Sequence, residues 1–136
     1  SAEATSTEDS QQYSAAMAID GDLQTRWASQ FADGESITLD LGKKFDLDRV
    51  IINWEGAYAS AYRIEVSNNG SDWQLAANIS ESDGGTDEIT DLTVSGRYLR
   101  LTGDVRGTPY GVSIYELEVY EREEERRCGN KKRRWH

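Results

Sequence analysis

Apolar and polar residues alternate in short runs along the first 120 positions, the pattern of half-buried β-strands. In residues 36–42, for example, Ile37, Leu39 and Leu41 alternate with polar neighbours. By this criterion we predict strands over residues 36–42, 48–55, 61–67, 73–79, 86–92, 97–102 and 114–120. No segment of residues 1–120 shows the 3.6-residue period of an amphipathic helix, so the pattern predicts an all-β sandwich or barrel.

Turn signals separate these strands. Residues 68–71 read Asn-Asn-Gly-Ser, and Asn and Gly tolerate positive φ, so we predict a hairpin there. Residues 103–111 form a loop long enough to carry a function. Residues 1–17 are polar and small, which predicts a loop with at most one short strand. Trp27, Trp54 and Trp73 lie on or beside strands, and we interpret all three as core residues.

The chain has 136 residues, which suits one domain with a sizeable core. Its single cysteine, Cys128, excludes an internal disulfide. No apolar run approaches the 18 residues of a membrane span. No signal peptide is recognisable after Ser1, so we expect a module taken from a larger chain.

The net charge of −10 is unevenly distributed. Residues 121–136 hold seven Lys/Arg and four Glu, a balance of +3, so residues 1–120 carry −13. Such an acidic domain repels nucleic acid and anionic membranes, and we expect neither as a partner. The abrupt change of composition predicts that the domain spans residues 1–120 and that 121–136 are a charged tail, either disordered, helical or foreign to the native chain.

Candidate metal chemistry is concentrated between Ala18 and Trp27. Asp20-Gly21 is a turn signal, and Thr25 lies five residues past Asp20, so a looping chain can aim both side chains at one point. Oxygen donors without Cys or His suit calcium rather than zinc. The spacing is not that of an EF-hand, so a calcium site here needs a ligand from elsewhere in the chain.

This stretch and several later ones resemble the discoidin-like (coagulation-factor C-type) domain, and within it the family 32 carbohydrate-binding modules. The matching segments are Ala18–Gly21 with Thr25–Trp27, Ile37–Gly42, Tyr62–Ser67 with Gly70–Trp73, Gly96–Leu101 and Ser113–Tyr120. The resemblance covers residues 1–120 in the expected order, and it implies a discoidin-like jelly-roll β-sandwich.

The resemblance also implies a structural calcium ion that ties the first loop to the last strand. Its closing ligand would be the carboxylate of Glu116, which points opposite to Tyr115 in a strand. The implied set is the carbonyls of Met17, Asp22 and Tyr115, the carboxylates of Asp20 and Glu116, and the carbonyl and hydroxyl of Thr25. That is about seven oxygens, a normal number for calcium.

Short segments around Glu8, Arg26, Phe31 and Glu55 are similar to the glucanase- and chitosanase-linked branch of the family, where matching residues line a pocket for a chain end. Aromatic faces and Arg or Glu side chains are the groups that such modules use against sugars. The candidate ligand-binding residues are Glu8, Arg26, Phe31, Glu55, Tyr110 and Tyr115. Two alternatives stay open: Phe31 packs in the core or contacts ligand, and either Tyr110 or Tyr115 faces the pocket.

The resemblance implies a non-catalytic, secreted, bacterial carbohydrate-binding module, monomeric, that binds oligosaccharide or polysaccharide and holds an attached catalytic domain near its substrate. A hydrolase acting through paired carboxylates such as Glu8 and Glu55 is a weaker reading, because no further acid–base residues accompany them. The only histidine is His136. A lipid- or cell-surface-binding domain is also weaker, since a terminal disulfide and apolar loop tips are lacking.

For the ligand, two carboxylates against one guanidinium favour an amino-sugar chain end of the chitosan type, because an ammonium group gains charge-assisted hydrogen bonds there. A β-glucan end also fits the glucanase-linked branch. Uronic-acid and galactose-containing ends remain alternatives, the first through Arg26 and Arg106, the second by stacking on aromatic rings.

Overall fold

A 20-residue strand, β3, runs through the fold and pairs with strands on both sides. The computed structural model describes residues 1–122 and 133–135. The strands are β1 (Ala2–Ala4), β2 (Trp27–Ala28), β3 (Glu35–Trp54), β4 (Ala59–Ser67), β5 (Trp73–Ile79), β6 (Thr86–Ile89), β7 (Val94–Arg106), β8 (Ser113–Glu121) and β9 (Arg133–Arg134). A short 3-10 helix, Ala15–Ile19, lies between β1 and β2.

All strand pairs are antiparallel, in the order β2-β8-β3-β7-β4-β5, with β1 and β6 also on β3 and β9 on β8. The first half of β3 pairs with β7 from Glu35 to Leu47, with a register shift between Asp40 and Phe45, and the second half pairs with β8 from Leu47 onward. Strands are thereby placed on both sides of one apolar core. The predicted all-β sandwich is confirmed.

Two predicted strands, 36–42 and 48–55, are one continuous strand in the structure. Gly42 does adopt a positive φ of 89°, and its N–H donates to Asp40 Oδ1 at 2.9 Å. The signal therefore marks a register break between Asp40 and Phe45 and not a strand end. Arg97 bonds the Asp40 carboxylate at 2.9 and 3.1 Å, and this hydrogen bonding lowers the pKa of Asp40 to about 2.

The core is built from the predicted inward faces. Its fully buried members include Trp27, Ile37, Leu39, Val50, Ile52, Tyr62, Ile64, Leu99, Leu101, Ile114 and Leu117. Trp54 is also buried, at 4% exposure. Trp73 is only half-buried, and the Arg100 guanidinium lies 4.0 Å from its ring centre, so the core interpretation of Trp73 holds only in part.

The end of β3 is fixed by hydrogen bonds that two buried aromatic side chains donate to one carboxylate. The Trp54 indole N–H and the Tyr62 hydroxyl donate to Asp87 Oδ2 at 3.0 and 2.8 Å. Burial, together with the Asp87 carboxylate, raises the pKa of Tyr62. Both aromatic side chains thus keep a partner for their polar atoms when buried. Glu55, the next residue after β3, leaves the sheet from this fixed point.

The hairpin predicted at residues 68–71 joins β4 to β5, and Gly70 has the positive φ that the turn needs, 78°. The loop predicted at 103–111 is shorter, because β7 continues to Arg106. Within the described part of the chain, no helix is long and apolar enough to cross a membrane.

The packed fold extends past the predicted boundary at residue 120. β8 ends at Glu121, and the N–H of Arg122 donates to Asp46 O at 2.7 Å. Trp135 packs against the core, and its indole N–H donates to Leu41 O at 3.0 Å. Glu121, Arg122 and Trp135 therefore belong to the sandwich, whereas the expectation for 123–132 and 136 lies outside the described residues.

This packing predicts that Trp135→Ala lowers the free energy of unfolding by roughly 1 to 2 kcal/mol, less than a fully buried tryptophan would cost. Urea unfolding of the parent and the variant measures the difference, with Lys44→Ala, a change at an exposed side chain, as the control. Equal midpoints for Trp135→Ala and the parent would show that the aromatic contact adds nothing to the domain.

Candidate binding cleft

A cleft of about 390 Å³ opens at one end of the sandwich. It lies where β2 and β3 end and β8 begins. Its lining residues are Glu8, Arg26, Ala28, Ser29, Phe31, Glu55, Gly56, Ala57, Thr108, Tyr110, Gly111, Val112 and Ser113. Five of the six residues predicted from the sequence to bind ligand therefore share one cavity.

Strand pairing brings these segments together. Ala28 of β2 lies opposite Ser113 of β8, and Trp54 of β3 lies opposite Ile114. The loops after β2 and β3 and the loop before β8 therefore meet at one edge. A residue such as Glu55, distant from Ser113 in the sequence, becomes its neighbour, and the Glu55 N–H donates to Ser113 O at 3.0 Å.

Hydrogen bonds with main-chain groups hold the two acidic residues. The N–H of Glu8 donates to Ala28 O at 2.7 Å, and one oxygen of the half-buried Glu55 carboxylate accepts the N–H of Ala57 at 3.0 Å. The Glu8 side chain is exposed. Both carboxylates keep oxygens that can accept hydrogen bonds from a ligand.

Arg26 supplies the positive charge of the cleft. Its guanidinium carbon lies 4.3 Å from the centre of the Tyr13 ring, and this stacking sets its orientation. Among the described residues, Arg26 Nε and Ser113 Oγ are buried atoms without a hydrogen-bond partner. Buried polar atoms of this kind are costly. Arg49 Nε is a third such atom, and it lies outside the cleft.

Two aromatic rings stand at the cleft mouth. Phe31 is 53% exposed and Tyr110 is 60% exposed, with ring centres 5.7 Å apart and planes at 83°. The core alternative for Phe31 is therefore wrong. Of the two tyrosines, Tyr110 lines the cleft, whereas Tyr115 is half-buried and is not among the lining residues.

Sequence reasoning missed the contacts that hold the mouth together. Ser29 Oγ accepts the N–H of Val112 at 2.8 Å, and Ser29 N–H donates to Val112 O at 2.9 Å. A β-carbon on Gly111 would lie 2.6 Å from the carbonyl oxygens of Ser29 and Gln30. Gly111 was a signal in the sequence, but it did not reveal which backbone this glycine approaches.

Hydrogen bonds link the segments that carry four of the predicted calcium ligands, Asp20, Asp22, Thr25 and Glu116. Glu116 is 2% exposed, and one of its oxygens accepts the N–H of Gly21 at 2.8 Å. The Thr25 hydroxyl donates to Asp20 Oδ2 at 2.5 Å, and its oxygen lies 3.2 Å from Asp22 O. β8 therefore does reach the first loop, as the resemblance implied. Met17 belongs to the short helix before this loop, and Tyr115 precedes Glu116 on β8.

The charge at this point is concentrated in two carboxylates. The Asp20 and Glu116 carboxyl groups lie within hydrogen-bonding reach of each other. Burial acts to raise the pKa of Asp20, but hydrogen bonds from Thr25 and from the Asp22 backbone outweigh it and lower the pKa. Among the described residues no three acidic, His or Cys side chains cluster, so any metal here depends on backbone carbonyls and a hydroxyl as well.

The fold is that of a known family. The model of the F5/F8 type C family, described as NedA-like, galactose-binding domain, matches residues 17–101. This match spans more than half of the chain, and the chain belongs to this family. No curated protein sequence matches the chain.

Solved structures identify the nearer relatives. A chitosan-binding module 1 from the chitosanase/glucanase of Paenibacillus sp. IK-5 is 43% identical, with a TM-score of 0.84 over 88% of this chain and 93% of that one. Module 2 of the same enzyme, solved with chitotriose, is 35% identical, with a TM-score of 0.84 over 88% and 94%. The family 32 module of Clostridium perfringens NanJ, solved with galactose, is 27% identical, with a TM-score of 0.79 over 89% and 93%.

These relatives are carbohydrate-binding modules and not catalytic domains. The chain is a non-catalytic module of the same kind, which confirms the class predicted from the sequence and the resemblance to family 32 modules.

The contact at Gly111 predicts the result of one substitution at the cleft mouth. Gly111→Ala places a methyl group against two carbonyl oxygens, so the loop must shift and Tyr110 with it. We expect a loss of roughly 1 to 3 kcal/mol in the free energy of unfolding, the cost of overpacking. Gly56→Ala, also in the cleft but with open space around the added carbon, is the matched control.

Proposed function

We propose that the module binds the end of an amino-sugar oligosaccharide or polysaccharide of the chitosan type in this cleft. The observation that carries the proposal is the meeting of two carboxylates, Glu8 and Glu55, with exposed aromatic rings in one cavity. Relatives at 43% and 35% identity are chitosan-binding modules, and this supports the same ligand class.

Charge favours a protonated amino sugar. The cleft holds two acidic side chains and one guanidinium, that of Arg26, within a domain whose residues 1–120 carry −13. An ammonium group bonded to Glu8 or Glu55 forms a charge-assisted hydrogen bond, about twice as strong as a neutral one. A uronate would meet the overall negative field instead.

Arg106 does not offset this disadvantage for a uronate. Its Nε is bonded to Asp33 Oδ1 at 2.9 Å, and its Nη1 donates to two backbone carbonyls. Arg26 therefore remains the cation of the cleft that faces a ligand, which weakens the uronic-acid alternative.

Stacking supplies the part of binding that does not depend on charge. Phe31 and Tyr110 expose apolar ring surface next to the acidic groups, so a sugar ring can lie on one of them while its polar groups reach Glu8 or Glu55. Neutral ends, β-glucan or galactose, would use this stacking alone. The 27% identical NanJ module was solved with galactose, so galactose oligomers are included in the calorimetry described below.

The cleft suits a short ligand segment. Its volume of about 390 Å³ is near the lower end of the range for small-molecule sites, about 300 to 1,000 Å³. We therefore assign it to a chain end. As a secreted monomeric module, it would hold an attached glycan-degrading enzyme close to its polysaccharide. The two Paenibacillus modules come from such an enzyme.

We also propose a structural calcium ion held by Asp20, Thr25 and Glu116 with the carbonyls of the first loop and of Tyr115. The residues present fit the ion, because burying the Glu116 carboxylate beside that of Asp20 is unfavourable without a compensating cation. An ion there would join the loop before β2 to the middle of β8. Its role would be to stabilise the fold and not to contact the sugar.

The ligand proposal predicts a ranking in calorimetry with short oligosaccharides. We expect glucosamine oligomers to bind more tightly than β-1,3-glucose or galactose oligomers, and uronate oligomers to bind least. Glu8→Gln and Glu55→Gln should each weaken glucosamine binding by roughly tenfold, the effect of losing one charge-assisted bond. Both changes keep the shape of the side chain.

Glu3→Gln, an exposed glutamate outside the cleft, is the matched control and should bind like the parent. Tight binding of uronate oligomers with no binding of glucosamine oligomers would reject the amino-sugar preference. If both cleft variants bind glucosamine oligomers as tightly as the parent does, the carboxylates of Glu8 and Glu55 do not contribute to binding.

The calcium proposal predicts that a chelator lowers the melting temperature. A ligand that binds only the folded state stabilises it by about 2.7 kcal/mol at a concentration 100 times its Kd. Readdition of calcium should restore the melting temperature in the parent and not in Glu116→Gln. Two results together would contradict the site: elemental analysis finds no metal in the protein, and neither chelator nor calcium changes the melting temperature.

A further inference from the structure

The exposed rings of the cleft mouth are not held by the core. Phe31 and Tyr110 are each more than half exposed, and their edge-to-face contact is with each other. A side chain in such a position loses conformational entropy when a ligand immobilises it, unless the free protein already holds it in place. The contacts that hold the loops of Phe31 and Tyr110 in the free protein therefore determine how much of the stacking energy is lost to ordering the rings.

Arg106 joins these two loops. Its backbone N–H and its Nε both donate to Asp33 Oδ1, at 3.0 and 2.9 Å. Its Nη1 donates to the carbonyls of Pro109 and Tyr110, at 3.2 and 3.3 Å. One side chain therefore binds the loop of Phe31, through Asp33, and the backbone of Tyr110 itself.

Other hydrogen bonds, two between backbone groups and one to the Ser29 hydroxyl, close the same two loops at both ends. Ser29 and Val112 exchange bonds beside the cleft floor, and the N–H of Gly34 donates to Gly103 O at 2.8 Å near the strand ends. Arg106 lies between Gly103 and Val112 in the sequence and adds its own hydrogen bonds to both loops.

We propose that Arg106 is a positioning residue of the binding site, which, through Asp33 and the carbonyls of the Tyr110 loop, holds Phe31 and Tyr110 in their paired arrangement before ligand arrives. The effect on affinity rests on the proposed function, whereas the effect on the loops does not.

The chemistry of the contact requires arginine. Its guanidinium donates in two directions at once, from Nε to a carboxylate and from Nη1 to two carbonyls, whereas lysine has one ammonium group at the end of a flexible chain. The hydrogen bond from Arg106 lowers the pKa of Asp33, so the carboxylate stays ionised in the neutral range. The contact is therefore intact where the module would bind a protonated amino sugar.

The test is calorimetry of Arg106→Lys and Asp33→Asn with a glucosamine oligomer. We expect roughly tenfold weaker binding in each, with the loss in the entropy of binding, because the rings are then ordered only by the ligand. The double variant should lose little more than either single variant, since both remove the same contact.

Arg97→Lys is the matched control, because Arg97 makes a similar pair with Asp40, at 2.9 and 3.1 Å, away from the cleft. It should bind like the parent. Parent-like affinity in Arg106→Lys, or an equal loss in Arg97→Lys, would overturn the proposal.

Hydrogen exchange of the ligand-free protein separates this inference from the ligand assignment. Amides of residues 110 and 111 should exchange faster in Arg106→Lys than in the parent, while those of β4 remain unchanged. If no glucosamine oligomer binds the parent, the proposal of an amino-sugar ligand is wrong. Faster exchange at residues 110 and 111 in Arg106→Lys would then still support the positioning role. Unchanged exchange there would overturn it.

Discussion

The pairing of β8 with both β2 and β3 is the interaction on which both candidate sites depend. At the start of β8, Ser113 lies opposite Ala28, and its carbonyl oxygen accepts the N–H of Glu55. These contacts place the loops after β2 and β3 beside each other. Three residues further on, Glu116 accepts the N–H of Gly21 and brings the acidic loop onto the same strand. A strand alternates its side chains, so one short segment can serve a cleft at its end and a buried carboxylate further along.

The scaffold and the cleft are stabilised by different forces. The scaffold buries a continuous apolar core from both halves of β3, and burial of this kind is the dominant favourable term in folding. The cleft mouth has exposed rings and charged groups, and it is held by hydrogen bonds such as those of Ser29 and Arg106. Exposed ion pairs add little to global stability, about 0 to 1 kcal/mol. In the proposed role of Arg106, the contribution of such pairs is to hold the loops of the mouth in position.

Much of the fold could be predicted because alternation is a local property of the sequence. Ile37, Leu39, Val50 and Ile52 are buried as their pattern indicated. The errors occur where a distant contact overrides a local signal. Gly42 looked like a strand end, but continued pairing of β3 with β7 beyond Phe45 makes it part of a register break. Trp73 looked like core, but it is only half-buried and its ring lies against the Arg100 guanidinium. Trp135 looked like part of a charged tail, but its indole reaches Leu41 and joins the core.

By itself, the sequence determined the strand content, the acidic character of the domain and, through motifs spread over 120 residues, the family and the residues to examine. Periodicity, composition and motif spacing are properties of the chain and need no coordinates. Only the tertiary structure decided that Tyr110 and not Tyr115 lines the cleft, that Phe31 is exposed, and that Arg106 is engaged by Asp33. These outcomes depend on which segments strand pairing brings within a few ångströms of each other, and separation along the chain does not encode that distance.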